Sequence, residues 1–219
     1  SDNEMIDSIK HHVSDDLLMA YSTGNLPEAF SIAVAAHVSM CDSCRSTLES
    51  FNAVGGALLE NNSMVAMSDN AFARTLDKIK SMPVAQEKPT KSQSDFPAPL
   101  TDYIGRSIAQ INWQPIGMGV KQSILKTSTE ATARLLYIPP GTEVPDHSHD
   151  GIEMTLVLDG AFADENEYFA KGDIEIADGS TNHTPVATDG RPCICLAVTE
   201  APLKFRKVFH RLIQPLMRI

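Results

Sequence analysis

Residues 141–160 read Gly141-TEVPD-His147-Ser-His149-DGI-Glu153-MTLVLD-Gly160. His147 and His149 are two apart, so on an extended chain both rings face the same way. Glu153 follows after Gly151, which permits a turn, so the carboxylate re-enters from the next strand. His183, at the end of Gly172-DIEIADGSTN-His183, must arrive from yet another strand. Three imidazoles and one carboxylate suit Zn, Mn, Fe, Ni or Cu alike. A lone histidine reads as a surface residue; three with a glutamate at this spacing read as one metal site.

Working outward, the chain beyond Leu100 breaks into short β-type segments. ARLLYIP, EMTLVL, DIEIA and PCICLAVT are the clearest, and Gly, Pro and Asp recur between them as turn signals. Such spacing is how sandwiches and small barrels read. The segment 141–160 resembles the first cupin motif: Gly, five residues, His-x-His, three or four residues, Glu, six residues, Gly. Residues 172–183 are similar to the second motif, with His183 at its ligand position. There Asp178, Ser180 and Ala187 replace the usual Pro, Gly and Asn. The resemblance implies a cupin β-barrel or jelly roll, with His147, His149, Glu153 and His183 on one divalent transition metal.

The full chain has 219 residues with 42% hydrophobic content, enough for two small domains or one large one. Its formal net charge of −10 argues against direct nucleic-acid binding, which needs Lys and Arg to displace counterions. No apolar run is long enough for a membrane helix. The polar start SDNEMIDSIKHH lacks the apolar stretch of a secretory signal, so a cytoplasmic setting is expected. The four cysteines form two close pairs, Cys41/Cys44 and Cys193/Cys195, which make a poor disulfide framework.

The first half reads as helices. Ser14 is a candidate N-cap for a helix carrying Leu17, Leu18 and Tyr21, ended by Gly24. Pro27 and Glu28 start a second, with Phe30, Val34, His37, Val38 and Cys41 at spacings of three and four. A third is predicted over Ser43–Leu59, with Leu48, Phe51 and Leu58 inward and Gly55–Gly56 as a weak point. Ser68 caps a fourth, on which Phe72, Leu76 and Ile79 form an apolar stripe. SMPVAQEKPTKSQSDFPAP, from Ser81 to Pro99, reads as an extended linker with no packed core. The expected division is a helical domain at 1–82, a linker at 83–98 and a β domain at 99–219.

His37-VSM-Cys41-DS-Cys44 is the second constellation. A helix puts His37 and Cys41 on one face, and two thiolates at x₂ spacing share a tetrahedral ion without strain. A fourth ligand must come from elsewhere, and His12 or its neighbour His11 supplies it. Two His and two Cys make a closed, structural zinc site with no open position for a substrate. A redox pair is the rival reading of Cys41 and Cys44. On the predicted strand, Cys193 and Cys195 face the same side and bridge poorly; they read as small packed residues or as a thiol sensor.

With both halves in view, the whole chain resembles ChrR-type anti-sigma factors. His12, His37, Cys41 and Cys44 match the zinc-binding anti-sigma domain. VPDHSHDGIEMTLVLDGAF, GDIEIAD, HTPVA, CICLA and the ending PLMRI look like the cupin half. The resemblance implies zinc in the N-terminal site and an extracytoplasmic-function sigma factor as partner. In that family the helical domain wedges between two sigma domains and blocks RNA polymerase binding. The cupin domain is required for release by singlet oxygen or related oxidants. The rival class is a metal-dependent cupin dioxygenase or isomerase, which needs an open coordination position.

Overall fold

A computed structural model describes residues 9–83, 94–144, 151–179 and 183–200, with backbone alone at 147–148 and 204–205. The His147 side chain, His149 and the C-terminal run from 206 onward lie outside the described residues.

Helices α1 (Asp15–Ser22), α2 (Glu28–Met40), α3 (Asp42–Glu60) and α4 (Ala71–Ser81) form in the order the sequence predicts. Ser14 stands at the N-cap of α1 without a capping bond, and Asp15 and Asp16 face the positive end of the helix dipole. Pro27 lies at the N-cap of α2, one residue before its expected place. Two expectations about the helices need correction. Helix α4 is preceded by Asn70, not capped by Ser68. Leu58 points outward, 69% exposed, because α3 runs unbroken through Gly55–Gly56 beyond the body it packs on.

The second half is antiparallel β structure. Strands β1 (Gln114–Gly117), β2 (Val120–Ile124), β3 (Thr132–Ile138), β5 (Glu153–Asp159), β8 (Ile174–Ala177) and β10 (Cys193–Thr199) make one sheet, ordered β1-β2-β3-β10-β5-β8. Strands β6 (Ala161–Ala163), β7 (Tyr168–Ala170) and β9 (Val186–Ala187) make a second, ordered β7-β6-β9. Strand β4 (His147–Ser148) pairs with β11 (Lys204–Phe205).

The centre of the large sheet, above all β5 and β10, is buried on both faces. Val157, Cys193 and Cys195 point into the barrel, where Phe162 and Phe169 stack with ring centroids 4.9 Å apart. Met154, Leu156, Leu158, Ile194, Leu196 and Val198 point out and share one core with the helices. Helix α2 lies on this outer face and is buried nearly all round, from Ala29 to Val38. That explains why its sequence is apolar on every side rather than on one stripe. The linker expectation is corrected at its end: Phe96, inside 83–98, is buried in this same core.

Candidate metal centres

Helix α2 presents His37 in its last turn and ends at Cys41, whose sulfur accepts the backbone N–H of Cys44 (3.5 Å) at the start of α3. His12 comes from the extended segment before α1. His37 Nε2 lies 3.2 Å from Cys44 Sγ, and His12 Nδ1 lies 3.3 Å from Cys41 Sγ and 3.6 Å from Cys44 Sγ. All four donor atoms fall within 4.8 Å of one another. Zn–S bonds of about 2.3 Å and Zn–N bonds of about 2.0–2.1 Å at tetrahedral angles set N···S separations near ~3.5 Å. The donor set therefore fits a tetrahedral zinc ion.

The choice between the adjacent histidines falls to His12. His11 turns the other way: its ring lies against Phe169 (4.2 Å between centroids) and its Nε2 is 3.1 Å from the Tyr168 carbonyl.

Electrostatics prepare His37 as a ligand and oppose ionisation of Cys44. Burial lowers the His37 pKa to about 4, against a weaker opposing pull from its bond to the Gly172 carbonyl. The ring is thus neutral at pH 7. With Nδ1–H donating to Gly172 O (2.9 Å), the Nε2 lone pair is aimed at the thiols. Burial pushes the Cys44 thiol up to about 11, while the Val13 backbone N–H pulls it down. Metal binding at Cys44 must therefore displace a proton.

In the barrel, Glu153 and His183 line one small cavity of about 60 Å³ with Arg134, Thr155, Glu175 and Cys195. The structure thus brings two of the four expected cupin ligands together; the side chains of His147 and His149 lie outside the described residues. His183 Nδ1 sits 2.7 Å from Glu175 Oε1, which orients the ring within the cavity. Burial works to lower the His183 pKa, but Glu175, Glu153 and Asp164 outweigh it and the net shift is upward. Asp164, Glu175 and His183 themselves bring three donor atoms within 4.8 Å.

Glu175 is a residue the sequence reading missed. Its signal was an acid between Ile174 and Ile176 on an alternating strand, which puts it on the barrel side. The Gly172 carbonyl was missed because a backbone acceptor leaves no mark in residue type.

The pair Cys193 and Cys195 is fully buried, and all four cysteines are free thiols. Contact with Cys193, then burial, holds the Cys195 thiol well above its ordinary pKa.

A family profile described as "ChrR Cupin-like domain" matches residues 102–202. The chain is 49% identical over 212 residues to the Anti-sigma-E factor ChrR of Cereibacter sphaeroides, covering 97% of this chain and 100% of that protein. It is also similar to ChrR in the crystal structure of Rhodobacter sphaeroides SigE in complex with the anti-sigma ChrR. That match has a TM-score of 0.77 at 50% identity, over 88% of this chain and 99% of that one. A helical His2Cys2 unit joined to a cupin barrel, at this identity and over this length, means that the chain belongs to the ChrR family of anti-sigma factors.

Proposed function

We propose that this protein is an anti-sigma factor that sequesters an extracytoplasmic-function sigma factor through its N-terminal helices and releases it on an oxidative signal. The observation that carries the reading is the near full-length identity to a protein named as an anti-sigma factor, with a relative captured on its sigma factor. In this reading zinc, held by His12, His37, Cys41 and Cys44, ties the N-terminal segment to α2 and α3. On the same reading residues 1–82 bind the partner and residues 99–219 sense the signal, both in the cytoplasm and joined through the shared core. Among the described residues no helix is long and apolar enough to cross a membrane.

An exposed apolar surface supports a protein partner. Val54, Leu58 and Leu59 on α3, Met64, Val65 and Met67 after it, and Phe72 and Ile79 on α4 all face outward. Patches of this kind mark interaction sites. We assign sigma contact to α4 and the end of α3. Singlet oxygen or a related oxidant, sensed in the cupin half, is the proposed release signal. A divalent metal on His147, His149, Glu153 and His183 belongs to the same proposal; zinc is the first choice, and Mn, Fe, Ni and Cu also suit the donors.

The metal-dependent oxygenase reading finds less support, since the protein's near full-length relative is a regulator and the cavity beside Glu153 is far smaller than the ~300 Å³ of a typical ligand pocket. Co-expression with an extracytoplasmic-function sigma factor from the same genome tests the proposal. A stable complex that silences transcription by the polymerase is expected, and free sigma activity in its presence overturns it.

A further inference from the structure

The zinc-type cluster is not built by the helical half alone. The turn between β7 and β8, Gly172–Asp173, belongs to the barrel but touches His37 and the Lys10–His11 backbone just before His12. The Gly172 carbonyl accepts the His37 Nδ1–H at 2.9 Å. Oδ1 of Asp173 accepts the backbone N–H groups of Lys10 (2.6 Å) and His11 (3.0 Å), directly before His12. Its other oxygen, Oδ2, accepts the Ala170 N–H at 2.9 Å, so the carboxylate is fixed from the barrel side. The Ile174 N–H reaches the His11 carbonyl at 3.4 Å. Asp173 is only 3% exposed, so these bonds are shielded from water. Gly172 has φ +93, and a Cβ there would sit 2.6 Å from Ile9 Cδ1, so the N-terminal segment is pressed directly onto this turn.

We propose that Gly172 and Asp173 are positioning residues of the zinc site, so that the barrel sets how tightly the helical half grips its ion. The proposal rests on the zinc reading given above. Asp173 fixes where the His12 segment runs; the Gly172 carbonyl fixes the tautomer and tilt of His37. Outer-shell partners of this kind typically change metal affinity about 10–100-fold when removed. The turn also has a route to the interior of the barrel. Two residues on from Asp173, Glu175 holds His183 at 2.7 Å.

The test is chelator competition for zinc on the full-length chain, comparing wild type, Asp173→Ala, Lys10→Pro and the double variant. Lys10→Pro deletes the shorter of the two N–H bonds donated to Asp173, leaving that of His11, and keeps every barrel residue intact. Each single variant is expected to bind zinc about 10–100-fold more weakly, and the double no more weakly than the worse single, because both break one latch. Wild-type affinity in both singles, or losses that multiply in the double, overturns the proposal. A wild-type chain that binds no zinc in the helical half is a different failure and removes the zinc reading itself.

Discussion

Leu156 and Val157 are consecutive on β5 and both fully buried, yet they face different cores. Leu156 points outward into the core shared with α2, and Val157 points into the barrel. The helical half is therefore packed on the sheet rather than hung from it by a linker. Leu156→Ala is expected to cost about 2–5 kcal/mol, as deletions in tight cores do. Denaturant melts should show helices and barrel lost in one transition, and residues 99–219 expressed alone should bind a dye for exposed apolar surface. Two separate transitions in the wild type contradict this packing.

His37 predicts how the zinc-free protein responds to acid. Its folded pKa, lowered by burial to about 4, lies below the ordinary value of 6.5. Above about pH 6.5 the ring is neutral folded or unfolded, and its contribution is fully present. Below that, the unfolded chain takes up a proton that the folded chain refuses, so stability falls as pH drops toward about 4. The loss amounts to about 3 kcal/mol at most. Urea midpoints of metal-free protein should fall over this window, and less steeply in His37→Gln. An equal slope in the two proteins counts against the assignment.

Phe72 and Ile79 on α4 are 79% and 61% exposed, so replacing them should leave the fold intact. Phe72→Glu with Ile79→Glu is expected to shift the thermal midpoint by no more than a degree or two, on the order of 0.5 kcal/mol. Sigma binding, measured by calorimetry, should weaken by at least about tenfold if α4 is a contact element. Unchanged affinity would mean that α4 does not touch the partner.

Cys193 and Cys195 are predicted to be unreactive in the native state. Both are fully buried on β10, and the Cys195 thiol is held well above its ordinary pKa. Little thiolate is available for alkylation. Iodoacetamide should label them only after unfolding; rapid labelling of the folded, zinc-loaded protein would show that the sheet opens there.

Much of this architecture is readable from residue pattern. Cys41 and Cys44 with His37 one helical turn back sit where helical spacing puts them, and the four main strands coincide with the apolar runs. What the sequence reading lacked was the packing of α2 on the sheet, although a trace of it is present. MTLVL and CICLAV are apolar at both parities, whereas a barrel wetted outside alternates. His12 could not be told from His11, because the choice depends on Asp173, distant in sequence, which clamps the segment and turns His11 onto Phe169. Phe96 escaped notice because prolines on its flank mark a linker by composition, while burial depends on where the chain next lands.

The most direct measurement is size-exclusion chromatography of the co-expressed sigma complex with zinc quantified, before and after chelation. The account predicts a complex containing one chain of each protein that dissociates when zinc leaves the helical half, and that fails to form with His37→Ala and Cys41→Ala combined. A complex that persists intact after zinc is stripped, or that forms undiminished in the double variant, contradicts it.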